Sequence, residues 1–482
     1  MDSPCLPGNI NFLLKGLGAF PYLTFSTYIR LLMNHNKLFR WSIVAALAGF
    51  IFGFDTVVIS GANQPIKDLW HTSALFHGIF IMSMALWGTV VGALFAGIPA
   101  EKYGRKKVLL WVGILFAVSA LGSALATGPY MFSFFRFIGG IGIGVSSVVA
   151  PTYISEISTP ASRGRLGAMY QFNIVFGILV AFLSNYFLQG VGGVNDWRWM
   201  LGVLGIPALI YTIMVMGVPE SPRWLITKKN DLTGAKKVLS EIGVADTEAE
   251  VVAIIDANKL DTVAGNKSEF FNSKHSKIIW LAFLIAFFNQ LSGINFILYY
   301  APEILSRIGL GAKESLLNSI AIGGTNLVFT FVGLYLIDRL GRKTLMLIGS
   351  LGYIISLSMV AYAFKTQGSP TFLMVFLLLF IASHAIGQGA VIWVFLSEIF
   401  PNKIRAMGQS FGASVHWVFA GIITLVTPVF LDEKNGILKD DPWIIFAFLA
   451  GMMVLQLIWV LTKMPETKNV SLEELEKKLI GS

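Results

Sequence analysis

The sequence predicts an all-α polytopic membrane protein with twelve transmembrane helices arranged in two halves of six. Three observations predict this fold class. The 482 residues are 55% apolar and 13% charged, whereas soluble globular domains carry about 25% charged residues. Apolar segments of membrane-spanning length recur along the whole chain. Three short charged motifs also occur twice, in the same order, once in each half.

Each apolar segment is interpreted as one span, because about 20 predominantly apolar residues cross the hydrocarbon core. A polar stretch at 219–277 divides the segments into two groups. The predicted spans are 41–62, 78–99, 107–126, 130–153, 167–188 and 199–217, then 278–300, 316–337, 344–364, 371–396, 407–430 and 443–463. The predicted domains are an N-terminal extension at 1–36, a first half at 37–218, a helical linker at 219–277, a second half at 278–464 and a tail at 465–482.

The linker contains two amphipathic segments, Ser221–Gly243 and Thr247–Asp261. Their periodicity predicts two short helices, capped by Asp231 or Thr233 and by Thr247. We expect a small cytoplasmic helical bundle, although a partly ordered linker explains the second segment equally well.

Basic residues gather in alternate loops, after spans 2, 4, 8 and 10, while the intervening loops hold only scattered cations. Positively charged loops stay on the cytoplasmic side of a membrane. We therefore expect both termini and the linker to be cytoplasmic. The clustered cations are Lys102, Arg105, Lys106, Lys107, Arg163, Arg165, Arg339, Arg342, Lys343, Lys403 and Arg405.

The two halves share three motifs at an offset of about 240 residues. Chance similarity does not preserve motif order, so the motifs indicate two related six-span halves. Halves related by an axis along the membrane normal suit alternating access, with the substrate held between them near the midplane. The pairs are GIPAEKYGRKK (97–107) with GLYLIDRLGRKT (333–344), SEISTPASRG (155–164) with SEIFPNKIRA (397–406), and PESPR (219–223) with PETK (465–468).

The charges in these motifs suggest a gate. Acid–base pairs at the cytoplasmic ends of spans can link the halves when the inner side is closed, and must break for it to open. Loop solvation and topology signalling explain part of the same charge pattern. The candidate gating residues are Glu101, Arg105, Glu156, Arg163, Arg165, Asp338, Arg339, Arg342, Glu398 and Arg405.

Asp55 is the only ionisable residue in the apolar run 41–60, and Arg136 is the only one in the run 131–150. An ionisable side chain inside a span costs roughly 2.5–3.5 kcal/mol on insertion scales, so it marks a functional site with a partner. One buried acid and one buried base in separate spans suggest a proton or ion relay. The alternative is a static ion pair that holds two helices together.

Uncharged polar side chains inside the spans favour a sugar as substrate. A sugar presents many hydroxyls and two weakly apolar ring faces, so its site needs amides that donate and accept and aromatic rings for stacking. No acid or base stands among these residues, which argues against a charged substrate. The alternative for each amide is helix–helix hydrogen bonding. The candidates are Gln171, Gln290, Asn295, Asn326, Trp393, His416 and Trp417.

Span 7 contains Ser292 and Gly293 and ends near Pro302. These residue types let a transmembrane helix unwind locally, as helices at transport sites do. Glycines four residues apart instead indicate close helix packing. Those pairs are Gly88 with Gly92 and Gly140 with Gly144.

Other function classes find no support in the sequence. We find no metal-ligand cluster, phosphate-binding loop or nucleophile motif, so we expect neither an enzyme nor a cofactor. The net charge of +9 resides in loops beside membrane spans, which argues against nucleic acid as a partner. The single Cys5 excludes an internal disulfide.

The ordered motifs resemble the sugar porter family of the major facilitator superfamily over residues 37–474. Within that family the chain is most similar to bacterial proton-coupled pentose and hexose symporters, which carry an aspartate at the position of Asp55. The passive facilitators that it also resembles have a neutral residue there. The motifs are GFDTVVISGA (53–62), RFIGGIGIG (136–144), PESPRWL (219–225), NQLSGINFILYYAP (289–302), DRLGRKT (338–344) and SEIFPNKIR (397–405).

The resemblance implies the major facilitator fold and import of a neutral monosaccharide with protons across a bacterial inner membrane, by a protein that acts as a monomer among lipids. It assigns the amide and aromatic candidates above, with Asn289, to the sugar pocket. Phe52, Tyr299 and Tyr300 become aromatic gates. A facilitator is the first alternative. A non-transporting sugar sensor is disfavoured, because a sensor is expected to carry a long signalling tail.

Three positions depart from the family pattern. Asn289 stands where the family has a glutamine, one methylene longer. The segment 387–393, GQGAVIW, lacks the proline that commonly precedes the tryptophan, so its bending is open. His416 stands where an amide is common, and histidine is bulkier and can gain a proton. The identity of the sugar stays open among neutral hexoses and pentoses.

Residues 1–32 form an unusual start. Their short apolar run is interrupted by Lys15, follows Asp2 and lacks a basic opening, so it makes a poor signal peptide. We expect the protein to insert and transport when it begins at Met33.

Overall fold

The computed structural model describes residues 25–262, 270–401, 404–470 and 472–480. Within these ranges the chain is helical, with no strand. Eleven described helices are long and apolar enough to cross a membrane, and a bent helix pair, Ala74–Met82 with Met84–Phe95, supplies a twelfth span. The predicted fold class is therefore confirmed. The predictions on residues 1–24 and on Lys403 lie outside the described residues.

The spans are numbered 1 to 12 along the chain. Spans 1 to 6 are Phe25–Trp70, the bent pair, Arg105–Ala124, Pro129–Ile157, Pro160–Leu188, and Asp196–Gly202 with Gly205–Met216. Spans 7 to 12 are Ser276–Leu291 with Ile294–Ser306, Ala312–Leu340, Arg342–Thr366, Pro370–Ile386 with Gln388–Glu398, Arg405–Leu431 and Trp443–Thr462. The shorter helices include Gly97–Tyr103, Pro222–Trp224, Leu225–Lys229, Leu232–Glu241, Thr247–Thr262 and Leu472–Ile480.

Spans 7 and 10 are both interrupted near the middle. Span 7 breaks at Gly293, whose φ of 88° is the left-handed conformation that glycine adopts readily, and it kinks again at Tyr300 before Pro302. The predicted break in span 7 is confirmed. Span 10 breaks at Gly387, with φ −86° and ψ −100°. The missing proline therefore does not leave this helix straight, because glycine provides the break instead.

Glycines allow the close helix contacts that the sequence predicted. A Cβ added to Gly88 would lie 2.2 Å from the carbonyl oxygen of Phe137, and one on Gly144 would lie 2.2 Å from that of Thr89. Spans 2 and 4 are therefore in backbone contact, and the packing interpretation is confirmed.

The linker helices lie against one face of the bundle, the face with the cation-rich loops after spans 2, 4, 8 and 10. We call this the basic face, and we call the opposite face the distal face. The Trp224 ring nitrogen donates to the Glu101 carbonyl at 2.8 Å and fixes the linker to the loop after span 2. Asp231 caps its helix by accepting from the Gly234 amide at 2.8 Å, as predicted. The predicted cap Thr247 is wrong, because the preceding Asp246 accepts from the first-turn amides.

Candidate functional site

Asp55 and Arg136 form a buried ion pair between spans 1 and 4. Arg136 Nη1 lies 2.5 Å from Asp55 Oδ1, and Nη2 donates to the Asp55 carbonyl at 3.1 Å. Both side chains are almost completely buried. The second carboxylate oxygen, Oδ2, makes no hydrogen bond to a described residue. Oδ2 is therefore the carboxylate oxygen of Asp55 that the hydrogen bonds of Arg136 do not occupy.

A cluster of amides occupies the middle of the second half, beside the break in span 7. Asn295 Nδ2 donates to Gln290 Oε1 at 2.9 Å, and Gln290 Nε2 donates to Asn289 Oδ1 at 3.0 Å. The same Gln290 nitrogen lies 3.1 Å from His416 Nε2 on span 11. All four side chains are buried. The glycine break at 293 brings Asn295 back towards Gln290, which is why residues five apart form this bond.

Aromatic rings border this cluster. His416 lies between Trp393 at 5.1 Å and Trp417 at 4.7 Å, measured between ring centroids. The Trp417 ring also lies 5.6 Å from that of Phe52, on span 1 of the first half. Trp393 lies in the second segment of span 10, near its end at the basic face, and keeps 39% of its surface exposed. A wall of this composition suits a polyhydroxylated ring with one apolar face.

Several predicted residues lie apart from the amide cluster. Gln171 on span 5 and Asn326 on span 8 make no side-chain hydrogen bond to a described residue, although their spans touch through Phe172 and Phe331, 5.3 Å apart. Tyr299 and Tyr300 are buried, and Tyr300 donates to the Thr424 carbonyl at 2.8 Å.

The charged motifs form matching ion pairs within each half at the basic face. Arg105 pairs with Glu156 at 2.9 Å in the first half, and Arg342 pairs with Glu398 at 2.8 Å in the second. The inter-half links predicted for a closed inner side remain a prediction. The other candidates bond locally or are exposed: Glu101 pairs with Lys228, Asp338 pairs with Arg342, Arg339 covers the Tyr335 ring, Arg405 donates to the Phe400 carbonyl, and Arg163 and Arg165 are exposed.

Two glutamates whose role the sequence analysis missed cap helices at the basic face. Glu220 accepts from the Arg105 amide at 2.9 Å at the start of span 3. Glu466 accepts from the Arg342 amide at 2.9 Å at the start of span 9. Burial raises the pKa of Glu220 despite its backbone hydrogen bonds. Burial also acts to raise the pKa of Glu466, but backbone amides outweigh it and lower that pKa. The two caps could have been predicted from the Pro-Glu dipeptide that occurs in both PESPR (219–223) and PETK (465–468).

A second polar network, also missed, joins the halves at the distal face. Asn63 Nδ2 on span 1 donates to Glu303 Oε2 on span 7 at 2.8 Å, and Asn63 Oδ1 lies 2.7 Å from His77 Nε2 on span 2. Lys67 forms an ion pair with Asp432 after span 11. Glu303, an acid next to Pro302 in an otherwise apolar run, was the signal in the sequence.

Close packing reinforces the distal contacts. A Cβ added to Gly78 on span 2 would lie 2.0 Å from the Leu425 carbonyl oxygen on span 11. Burial acts to raise the pKa of Asp432, but the Lys67 hydrogen bond and the Asn435 and Lys434 amides outweigh it and lower that pKa. Asp432 therefore stays ionised and keeps its attraction to Lys67. The two halves are therefore in direct contact at the distal face.

The fold and these buried groups define a polytopic membrane transporter with an ionic site in one half and a neutral polar site in the other. The chain belongs to the sugar transporter family, since the family described as "Sugar (and other) transporter" matches residues 41–479.

Characterised relatives are similar over almost their whole length. The arabinose-proton symporter of Bacillus subtilis (strain 168) is 36% identical over 443 residues, covering 90% of this chain and 94% of that protein. The D-xylose-proton symporter of Escherichia coli (strain K12) is 31% identical over 484 residues, covering 92% and 96%. The inward open conformation of the xylose transporter XylE from E. coli superimposes with a TM-score of 0.80 at 30% identity, covering 92% of this chain and 100% of that chain.

Proposed function

We propose that the protein imports a neutral monosaccharide together with protons by alternating access. The observation that carries this proposal is the pairing of Asp55 with Arg136, which leaves Asp55 Oδ2 without a partner. A buried acid that pairs with one cation inside a membrane span is typical of a proton relay. The neutral amide cluster around Gln290 supplies the sugar site.

The relatives support the two substrates of this proposal. Their names pair arabinose, xylose or galactose with protons. A structure of XylE, described as a proton:xylose symporter bound to 6-bromo-6-deoxy-D-glucose, matches with a TM-score of 0.77 at 31% identity. The pocket roles of Gln171, Asn289, Asn326, Trp393, His416 and Trp417, and the gate roles of Phe52, Tyr299 and Tyr300, belong to this proposal.

The distribution of cations in the loops indicates how the protein is oriented in the membrane, and the contacts at the distal face indicate its conformation. The basic face is cytoplasmic because its loops carry the clustered cations, so the distal face is extracellular. The halves are tied at the distal face through Asn63 and Glu303 and through Lys67 and Asp432. Together with the match to an inward open relative, this closure supports an inward-facing state. The bacterial relatives support a cell membrane as the location, and the monomeric state is part of the proposal.

The test is uptake into proteoliposomes with radiolabelled D-xylose, L-arabinose, D-glucose and D-galactose. We expect at least one sugar to accumulate above its external concentration when an inward proton gradient is imposed. A driving force of 100 mV corresponds to about 2.3 kcal/mol per proton, or roughly fifty-fold accumulation. Equilibration without accumulation for every transported sugar would show a facilitator instead.

A further inference from the structure

The amide cluster continues away from the pocket through spans 10, 12 and 9. Asn289 Nδ2 donates to Gln388 Oε1 at 3.4 Å, Gln388 Nε2 donates to Gln456 Oε1 at 2.8 Å, and Gln456 Nε2 donates to the Ser350 hydroxyl at 2.8 Å. Gln388, Gln456 and Ser350 are completely buried. We call the whole series the amide ladder. Its members, in order, are Asn295, Gln290, Asn289, Gln388, Gln456 and Ser350.

Every hydrogen bond in the amide ladder runs in the same direction. Each amide nitrogen donates to the oxygen of the next member, away from Asn295. Reversal of one amide would set two N–H groups or two oxygens against each other in a buried place, which is costly. The distant members therefore fix the orientation of Gln290 and leave the Asn295 oxygen free as an acceptor on the pocket side.

The local sequence explains why the ladder exists in this chain. Asn289 is too short to extend far from its own helix. Gln388 reaches it because span 10 breaks at Gly387, where an added Cβ would lie 2.9 Å from the Gly349 Cα on span 9. This close approach places Gln388 at the start of the second segment of span 10, between Asn289 and Gln456. The short amide, which departs from the family pattern, and the glycine break, which occurs where the family's proline is missing, thus form one arrangement.

We infer that Gln388 and Gln456 are positioning residues that set the hydrogen-bonding pattern of the sugar pocket and thereby its selectivity among monosaccharides. This inference rests on the proposed function, because it assumes that sugar binds at Gln290 and Asn295. Gln456 acts only through Gln388 and Asn289. Its effect on sugar binding therefore separates positioning from direct contact.

The test replaces Gln456 with methionine, which has similar volume but lacks the amide oxygen that accepts from Gln388; its thioether sulfur is only a weak acceptor. Gln388 is then free to turn, and the amides nearer the pocket lose their fixed direction. We expect Gln456→Met to weaken binding of D-xylose or D-glucose about five- to thirty-fold and by unequal factors for the two sugars. The maximum transport rate should change less than about twofold, because the ion pair at Asp55 and Arg136 is untouched. The inference would be overturned if Gln456→Met bound D-xylose and D-glucose each with the same affinity as the wild-type protein.

Two further variants guard against a purely structural effect. Gln456→Glu keeps an acceptor and a donor in place, since a carboxyl buried without a cation holds its proton, and should bind within about twofold of wild type. The double variant Gln388→Met with Gln456→Met removes both partners of the Gln388–Gln456 hydrogen bond and leaves Asn289 Nδ2 without its acceptor, so sugar binding should stay weak. Recovery of wild-type affinity in the double variant would contradict positioning by the ladder.

Gln409→Met provides the matched control, because Gln409 is exposed on span 11. The affinity of this variant for both sugars should equal that of the wild-type protein. The readout is calorimetric titration of purified protein with D-xylose and with D-glucose. If wild-type protein binds neither these two sugars nor L-arabinose or D-galactose, the proposed function fails. If wild type binds and Gln456→Met binds equally well, only the ladder fails.

Discussion

The two halves repeat in sequence but bury different chemistry. At the repeat offset of about 240 residues, Asp55 in span 1 corresponds to Asn295 in span 7, each two residues after a glycine. Asp55 is held by the guanidinium of Arg136 at 2.5 Å, whereas Asn295 donates to the neutral amide of Gln290 at 2.9 Å. The first half thus buries an ion pair, whereas the second half buries a cluster of neutral amides.

The basic face shows the opposite behaviour, since the halves there remain alike. Arg105 with Glu156 and Arg342 with Glu398 are equivalent ion pairs. Glu220 and Glu466 cap equivalent helices. The symmetric ion pairs and caps lie at the basic face, whereas the asymmetric residues lie in the core of each half, where we propose that the substrates bind. The two halves therefore share one repeated scaffold and differ in a few residues in their cores.

The largest expected effect comes from removal of the cation in the first half. Arg136→Leu leaves Asp55 buried without a partner, and loss of one member of a buried pair costs about 3–5 kcal/mol. We expect lost transport in every mode and a lower amount of folded protein in the membrane. Proteoliposome exchange and a thermal-stability assay measure the two effects. An Arg136→Leu protein with wild-type stability and exchange would show that the ion pair contributes little to folding or to transport.

The next largest effect lies in the second half. Gln290→Ala leaves Asn295 without its acceptor and removes groups assigned to the sugar, so binding should weaken by about 1–3 kcal/mol. Protein level should change little compared with Arg136→Leu. Equilibrium binding of D-xylose and D-glucose measures the loss. Unchanged affinity in both Gln290→Ala and Asn295→Ala would place the sugar elsewhere.

A smaller, qualitative change is expected at His416. Asparagine at this position keeps hydrogen-bonding groups but removes the ring that lies 5.1 Å from Trp393. His416→Asn should therefore alter the order of preference among sugars more than the maximum rate. Competition of unlabelled pentoses and hexoses against a labelled sugar gives that order. An unchanged order would mean that His416 serves only as a packing residue.

The smallest effect concerns the caps that the halves share. Glu466→Gln replaces a charged acceptor at the start of span 9 and should lower stability by about 0.5–1 kcal/mol at neutral pH. The pKa of Glu466 is lowered from 4.5 in the folded protein. Its stabilisation is therefore present above pH 4.5 and is lost as the pH falls below that value. Thermal unfolding should show a difference from wild type that shrinks at acid pH. A difference that grows on acidification would contradict the cap assignment.

The sequence predicted features that depend on periodicity or on one conspicuous residue. Asp55 and Arg136 were recognisable because each stands alone in an apolar run, and Gly293 because glycine interrupts a span. The amide ladder was not predictable, because Gln388, Gln456 and Ser350 lie on three different spans whose mutual rotation is set by packing. The distal pair of Asn63 with Glu303 also depends on how the two halves meet, 240 residues apart in sequence.

The central claim is that the charge in the first half couples sugar movement to protons while the second half binds the sugar. Asp55→Asn tests it most directly, in proteoliposomes that report both accumulation under a proton gradient and exchange at equal sugar concentrations. We expect exchange and sugar affinity to persist, because Gln290 and Asn295 are intact, and accumulation above equilibrium to disappear. An Asp55→Asn protein that still concentrates sugar against its gradient would contradict the claim and leave the pair with Arg136 a structural one.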